Sequence, residues 1–176
     1  MTPDSPRREA CPTCEFEWDV VDPEEVSARV NAAIGRLATI LSANAESADI
    51  RPEPARWSAL EYGAHVRDVL LNVRDRLILT AVEDHPSPPP LYREERVALN
   101  LYAHESASTI AADLEFAARL FTTTFDILRT EHLERTLVYS RQLGETRTLG
   151  WTGAQVLHEC EHHLDDVREN FARLRG

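Results

Sequence analysis

Four stretches of this chain repeat apolar residues at intervals of three and four, and breakers or capping residues bound each stretch. Val26, Val30, Ala33, Leu37, Ile40 and Leu41 form the first stripe, and Val66, Val69, Leu70, Val73 and Leu77 the second. Ile110, Leu114, Phe121, Phe125 and Leu128 form the third, and Val156, Cys160, Leu164, Val167, Phe171 and Leu174 the fourth. That period leaves one buried side on an α-helix. Four one-sided helices of about 20 residues satisfy each other only by packing together, so the expected fold is all-α, an up-down four-helix bundle.

Local signals place the ends. In "DPEEV", Asp22 is a cap, Pro23 suits the first helical position and Glu25 sits at the third. "WSALEY" reads as a capping box of Ser58 and Glu61 with Trp57 and Tyr62 as a staple, opening a helix that runs to about Glu83. "DHPSPPPLYR" cannot continue it, because each proline lacks a donor and clashes with the turn before it. The third helix is expected from about Ser106. "RTLVYSRQLGETRTLGW", rich in Thr, Gly and aromatics, is expected as a short hairpin or irregular excursion. The last helix is expected to begin at Thr152, boxed with Gln155 and stapled by Trp151 and Val156. Residues 1–21 then form an N-terminal segment packed on a bundle of residues 22–176.

Composition narrows the function. A chain of 176 residues, 43% apolar, supports one well-buried core rather than two. Its 19 Lys and Arg against 30 Asp and Glu give a formal charge of −11, which repels nucleic acid and anionic membrane. "MTPDSPRREA" lacks the apolar stretch of a signal peptide, and no run reaches transmembrane length. Three cysteines are too few for a disulfide framework, so a reducing, cytoplasmic setting is expected.

The chemistry concentrates in "VLHECEHHLDDV". On a helix, His163 lies beside the apolar stripe with Glu159 one turn back, whereas His158 and His162 fall on nearly the opposite side. One helix thus carries two ligand pairs, one leaning inward and one facing away. For the outward pair, Cys11 and Cys14 of "CPTC" supply the two-thiolate spacing of zinc sites, and the four together would make a Cys2His2 structural site. A redox role for these thiols is disfavoured, because "CEFEWDVVDP" after Cys11 does not open a helix that would lower a thiol's pKa. For the inward pair, His65 is the histidine of the second helix near its apolar stripe. His65, Glu159 and His163 would offer two imidazoles and a carboxylate with coordination positions left open, as catalysis requires. Asp68 and Asp166, each three residues beyond a histidine, are expected to take a second ring proton or hold a substrate group.

The stretches "WSALEYGAHVRDVL" and "HHLDDV" resemble the DinB-like superfamily, which includes the mycothiol-dependent maleylpyruvate isomerases. The likeness runs from about residue 22 to the end. It implies a bundle binding zinc or nickel through His65 and His163, with the residue four before the latter, His in many relatives and Glu in the isomerases, being Glu159 here. His158 with His162 remains a rival register for the partners of His65. The "CPTC" head is similar to an actinobacterial branch with "CPxC". The likeness further implies a small-molecule substrate, a low-molecular-weight thiol such as mycothiol, and a thiol-dependent S-transferase or isomerase, with a metal-dependent hydrolase or a non-catalytic metal-stabilised dimer as alternatives.

His158, Glu159 and His162 also spell the H-E-x-x-H of zinc proteases. That reading fails, because such enzymes take a third ligand downstream and only 14 residues follow His162.

Overall fold

A computed structural model describes residues 9–140 and 143–176. Helix α1 (Pro23–Ala43) starts where Asp22 accepts the Glu24 N–H, and Pro23 takes the first position, where its missing donor costs nothing. Helix α2 (Ala59–Val82) starts with a reciprocal box: Ser58 Oγ accepts the Glu61 N–H, and the Glu61 carboxylate accepts the Ser58 N–H. The Trp57 and Tyr62 rings meet across that cap at 5.5 Å. The proline-rich chain beyond α2 leads into α3 (Arg93–Ala98), a helix too short to show a period in the sequence. Ser106 caps α4 (Ala107–His132) by accepting the Thr109 N–H.

The expected excursion is a hairpin. Strands β1 (Thr136–Ser140) and β2 (Glu145–Thr148) pair antiparallel with Thr136 opposite Thr148. Residues 141 and 142 of that stretch lie outside the described residues, as do residues 1–8 of the expected N-terminal segment. Helix α5 (Leu149–Arg175) begins one turn earlier than expected. Thr148, not Thr152, caps it by accepting the Trp151 N–H. Thr152 lies inside the helix and donates its hydroxyl back to the Thr148 carbonyl, so the Thr152–Gln155 box does not form. The hairpin decides this, since β2 delivers Thr148 directly to the helix start.

The chain forms the all-α bundle with a hairpin excursion, and its helices do not simply alternate in direction. Ser27, early in α1, bonds Asp126, late in α4. Arg29 of α1 pairs with Glu161 of α5, while the Asn170 side chain near the α5 end bonds Trp57, just before α2. Gly63 at the start of α2 faces Leu41 at the end of α1 and Ile110 at the start of α4. The four long helices therefore run up, down, down, up. Helices α4 and α5 each pack against both α1 and α2, which stand diagonally opposed. All four stripes meet in one core around Leu37, Leu70, Leu114, Phe121 and Val156. Burying each such side chain contributes roughly 1.5–3 kcal/mol. Among the described residues no helix is long and apolar enough to cross a membrane.

Residues 9–21 lie against α5. They fold back through a bridge between Ala10 and Glu17, and Trp18 Nε1 donates to Gln155 Oε1 at 2.7 Å. This cover explains one departure from the helical pattern: His158, expected on an outward face, is buried beneath Phe16 and Trp18.

Gly153 sits where α5 crosses the buried Phe125 ring, and a Cβ there would overlap that ring. Alanine is normally better than glycine in a helix by roughly 1 kcal/mol. Overpacking outweighs it here, and Gly153→Ala is expected to destabilise the fold by about 1–3 kcal/mol in urea unfolding. A variant more stable than the parent would show that the ring yields.

Candidate metal centres

Helices α2 and α5 run antiparallel, which sets His65 opposite the turn from Glu159 to His163. His65 Nε2 and His163 Nε2 each lie 3.2 Å from the same oxygen, Glu159 Oε2. The ligating atoms of the three all fall within 4.8 Å of one another. The other carboxylate oxygen, Oε1, accepts from Gln155 Nε2 at 2.7 Å. His65 is 3% exposed, with the Trp57 ring edge-on to it, and Tyr62 stacks on His163. Burial alone would push the Glu159 carboxyl up, but its bonds to His163 and His65 hold it well below the usual carboxylate range. Burial pushes His163 down, and its bonds to Asp166 and Glu159 overcome this and lift it to about 9.

Asp166 does what the spacing predicts. Its Oδ2 lies 2.9 Å from His163 Nδ1, and Arg56 donates to Oδ1 at 3.0 Å. Asp68 does not. It turns away from His65 and accepts from Arg96 at 2.7 Å, the Tyr102 hydroxyl at 2.9 Å and Arg67 at 3.0 Å. Arg67 is its neighbour on α2, but Arg96 and Tyr102 come from the irregular segment around α3, which no periodicity places against α2.

Cavities open on both sides of the cluster. One of about 270 Å³ is lined by His65, Glu159, Asn72, Arg76 and Tyr139. Another of about 330 Å³ is lined by Tyr62, His65, Arg93, His163 and Asp166. Sequence reasoning missed Gln155 as the partner of Glu159, although it stands four residues before it on one helix face. It also missed Arg56, Arg76 and Tyr139, for which no spacing signal exists.

The second set also converges. Cys11, Cys14, His158 and His162 place ligating atoms within 4.8 Å of one another. Cys11 is buried and Cys14 exposed. Burial works against ionisation of Cys11, yet hydrogen bonds from the Cys14 and Thr13 backbone hold its thiol below the ordinary range. Burial also pushes the His158 imidazole down, which favours its neutral form. The sets stay separate: His65 faces Glu159 and His163, while His158 and His162 face the thiols. His162, His163 and Asp166 form a third grouping between them, with His162 Nε2 3.6 Å from Asp166 Oδ2.

A family model described as the DinB superfamily matches residues 23–167, from the start of α1 well into α5. The chain belongs to the DinB superfamily. Among solved structures, this DinB bundle is similar to YfiT from Bacillus subtilis, described as "a probable metal-dependent hydrolase with an unusual four-helix bundle topology". The TM-score is 0.79 at 17% identity, over 97% of this chain and 94% of that one. Likeness at that identity shows the fold alone. No curated protein matches significantly. The DinB match begins at Pro23, so Cys11 and Cys14 lie outside it.

Since Asp68 neutralises the segment around α3 rather than serving His65, Asp68→Asn is expected to cost about 1–3 kcal/mol of stability through weakened buried hydrogen bonds. Bound metal per folded chain should not change. Metal loss in step with the stability loss would return Asp68 to the site.

Proposed function

We propose that this DinB bundle is a metal-dependent hydrolase acting on a small molecule, with His65, Glu159 and His163 as protein ligands to one divalent ion, zinc or nickel. The observation that carries the reading is the pair of 3.2 Å separations from one Glu159 oxygen to imidazole nitrogens on two helices. Bonds of about 2.0–2.2 Å at tetrahedral angles set neighbouring ligand atoms about 3.3–3.6 Å apart, so the donors fit a small divalent ion with little movement. Two nitrogens and one oxygen also leave coordination positions free, next to cavities of small-molecule size.

An ion held there supplies Lewis acidity, polarising a carbonyl and making a water easier to deprotonate. The chain's residues orient it. Asp166 engages His163 Nδ1 and so presents Nε2 inward, the usual arrangement behind a metal-ligating histidine. Gln155 ties down Glu159 Oε1 and leaves Oε2 to the histidines. In the adjoining cavity the charge of Arg76, whose guanidinium is held by the Tyr139 and Pro89 carbonyls, favours a substrate with an anionic group. Burial, then the charge of Glu159, pushes the Tyr139 phenol up, so the tyrosine lining this cavity keeps its O–H.

Glu159 itself supports a second reading, a thiol-dependent S-transferase or isomerase, because the mycothiol-dependent isomerases are the relatives that carry Glu at this place. The open positions and flanking cavities weigh against a purely structural, dimer-stabilising ion.

The test is metal-reconstituted protein assayed on a panel of small esters and amides, with and without a low-molecular-weight thiol. His65→Ala and His163→Ala should abolish turnover and lose this ion, and Asp166→Asn should weaken its retention by roughly 10–100-fold. Hydrolysis that survives in metal-free protein or in His163→Ala sinks the proposal. Turnover only in the presence of thiol transfers it to the second reading.

A further inference from the structure

We propose that Cys11, Cys14, His158 and His162 form a closed zinc site that pins residues 9–21 to α5 and, through Trp18, positions the Glu159 carboxylate. The first half stands on its own, and the second rests on the open site proposed above.

The strongest observation is an unsatisfied imidazole. His158 is buried, and neither of its ring nitrogens has a hydrogen-bond partner among the described residues; His162 Nδ1 is in the same state. Buried polar atoms are almost always paired, so ring nitrogens left without a partner among the described residues call for a ligand, and a metal ion would take one nitrogen of each imidazole. Both thiols meet those rings, with all ligating atoms within 4.8 Å. Two sulfurs and two imidazoles are the donor set of tetrahedral zinc, and four protein ligands leave no position for a substrate.

The backbone around the thiols is shaped to present them. Glu15 N–H donates to the Cys11 carbonyl at 2.9 Å, and Cys11 N–H donates to the Phe16 carbonyl at 2.8 Å. Glu15 takes a left-handed φ of 59° to close the turn. His162 Nε2 points toward Asp166, as the second nitrogen of a metal-bound histidine commonly points toward a carboxylate. Zinc entry would take both thiols as thiolates and release two protons to solvent.

The link to the neighbouring cluster is a relay of two hydrogen bonds. Trp18 Nε1 donates to Gln155 Oε1, and Gln155 Nε2 donates to Glu159 Oε1, each at 2.7 Å. Trp18 thereby fixes which way the amide faces. Without the pinned segment the amide is free to turn, and Glu159 loses the donor that keeps Oε2 on the histidines. Gln155 is a positioning residue.

The test uses the full, untagged chain stripped by chelator and reloaded with cobalt(II). Two ions per chain are expected, with thiolate-to-cobalt charge-transfer absorption in the near ultraviolet. Cys14→Ser, which alters an exposed side chain, should drop the content to one ion and remove that absorption. Its remaining ion should dissociate to chelator at least several-fold faster than the corresponding ion of the parent. His65→Ala should keep the charge-transfer band. One ion with that band in the parent would uphold the zinc site and sink the open one. Parent protein without the band, or Cys14→Ser with it undiminished, overturns the zinc site. A dissociation rate unchanged by Cys14→Ser overturns the relay. On the unsubstituted zinc form, the thiols of Cys11 and Cys14 should react with a disulfide reagent only after chelation, while Cys160 stays buried. A requirement for reductant instead would mean a disulfide and end the proposal.

Discussion

One buried carboxylate oxygen organises the interior where α2 meets α5. Glu159 Oε2 touches imidazoles from both helices, and nothing apolar could replace it without stranding both. A carboxylate so enclosed must have its charge balanced. Within the chain the balancing partner is His163, whose basicity its bonds to Asp166 and Glu159 raise, and a bound divalent ion would supply more charge at the same point. Everything nearby fits that demand: Gln155 on the second oxygen, Asp166 behind His163, and Arg56 behind Asp166.

Around this point α5 is read on two sides. Residues one apart in sequence, His162 and His163, serve different clusters because a helix turns about 100° per residue. Asp166 stands near both, at 3.6 Å from one ring and 2.9 Å from the other. The two clusters are therefore neighbours that share a carboxylate, not independent patches.

Much of this was legible in the sequence. The apolar period marked the four long helices, and Asp22, Ser58 and Ser106 marked three of their starts, since caps act locally. The inward pair, Glu159 with His163, followed from helical spacing alone. What escaped depends on distant or irregular chain. Thr152 read as the cap of the last helix, and the hairpin, whose second strand ends at Thr148, puts Thr148 there instead. His158 read as outward because its cover, residues 9–21, carries no period. Asp68 read as a histidine partner because Arg96 and Tyr102 reach it from a segment whose path no pattern encodes. The direction of each helix was equally hidden, as stripes say which side is buried and not against whom.

That order of helices bears on how the chain folds. Helices α1 and α2 leave the ribosome before α4 and α5, yet they stand diagonally across the bundle and share little surface. Two amphipathic helices in that position cannot close a core together. Their apolar faces must wait for α4, whose residues arrive after the proline-rich segment, and then for α5 to seal α1 to α2 from the other side. The contacts that count are therefore long in sequence, which slows folding relative to a bundle of simple hairpins. Through that interval the newly made first half presents two uncovered stripes to its surroundings, the exposure that holdase chaperones exist to shield.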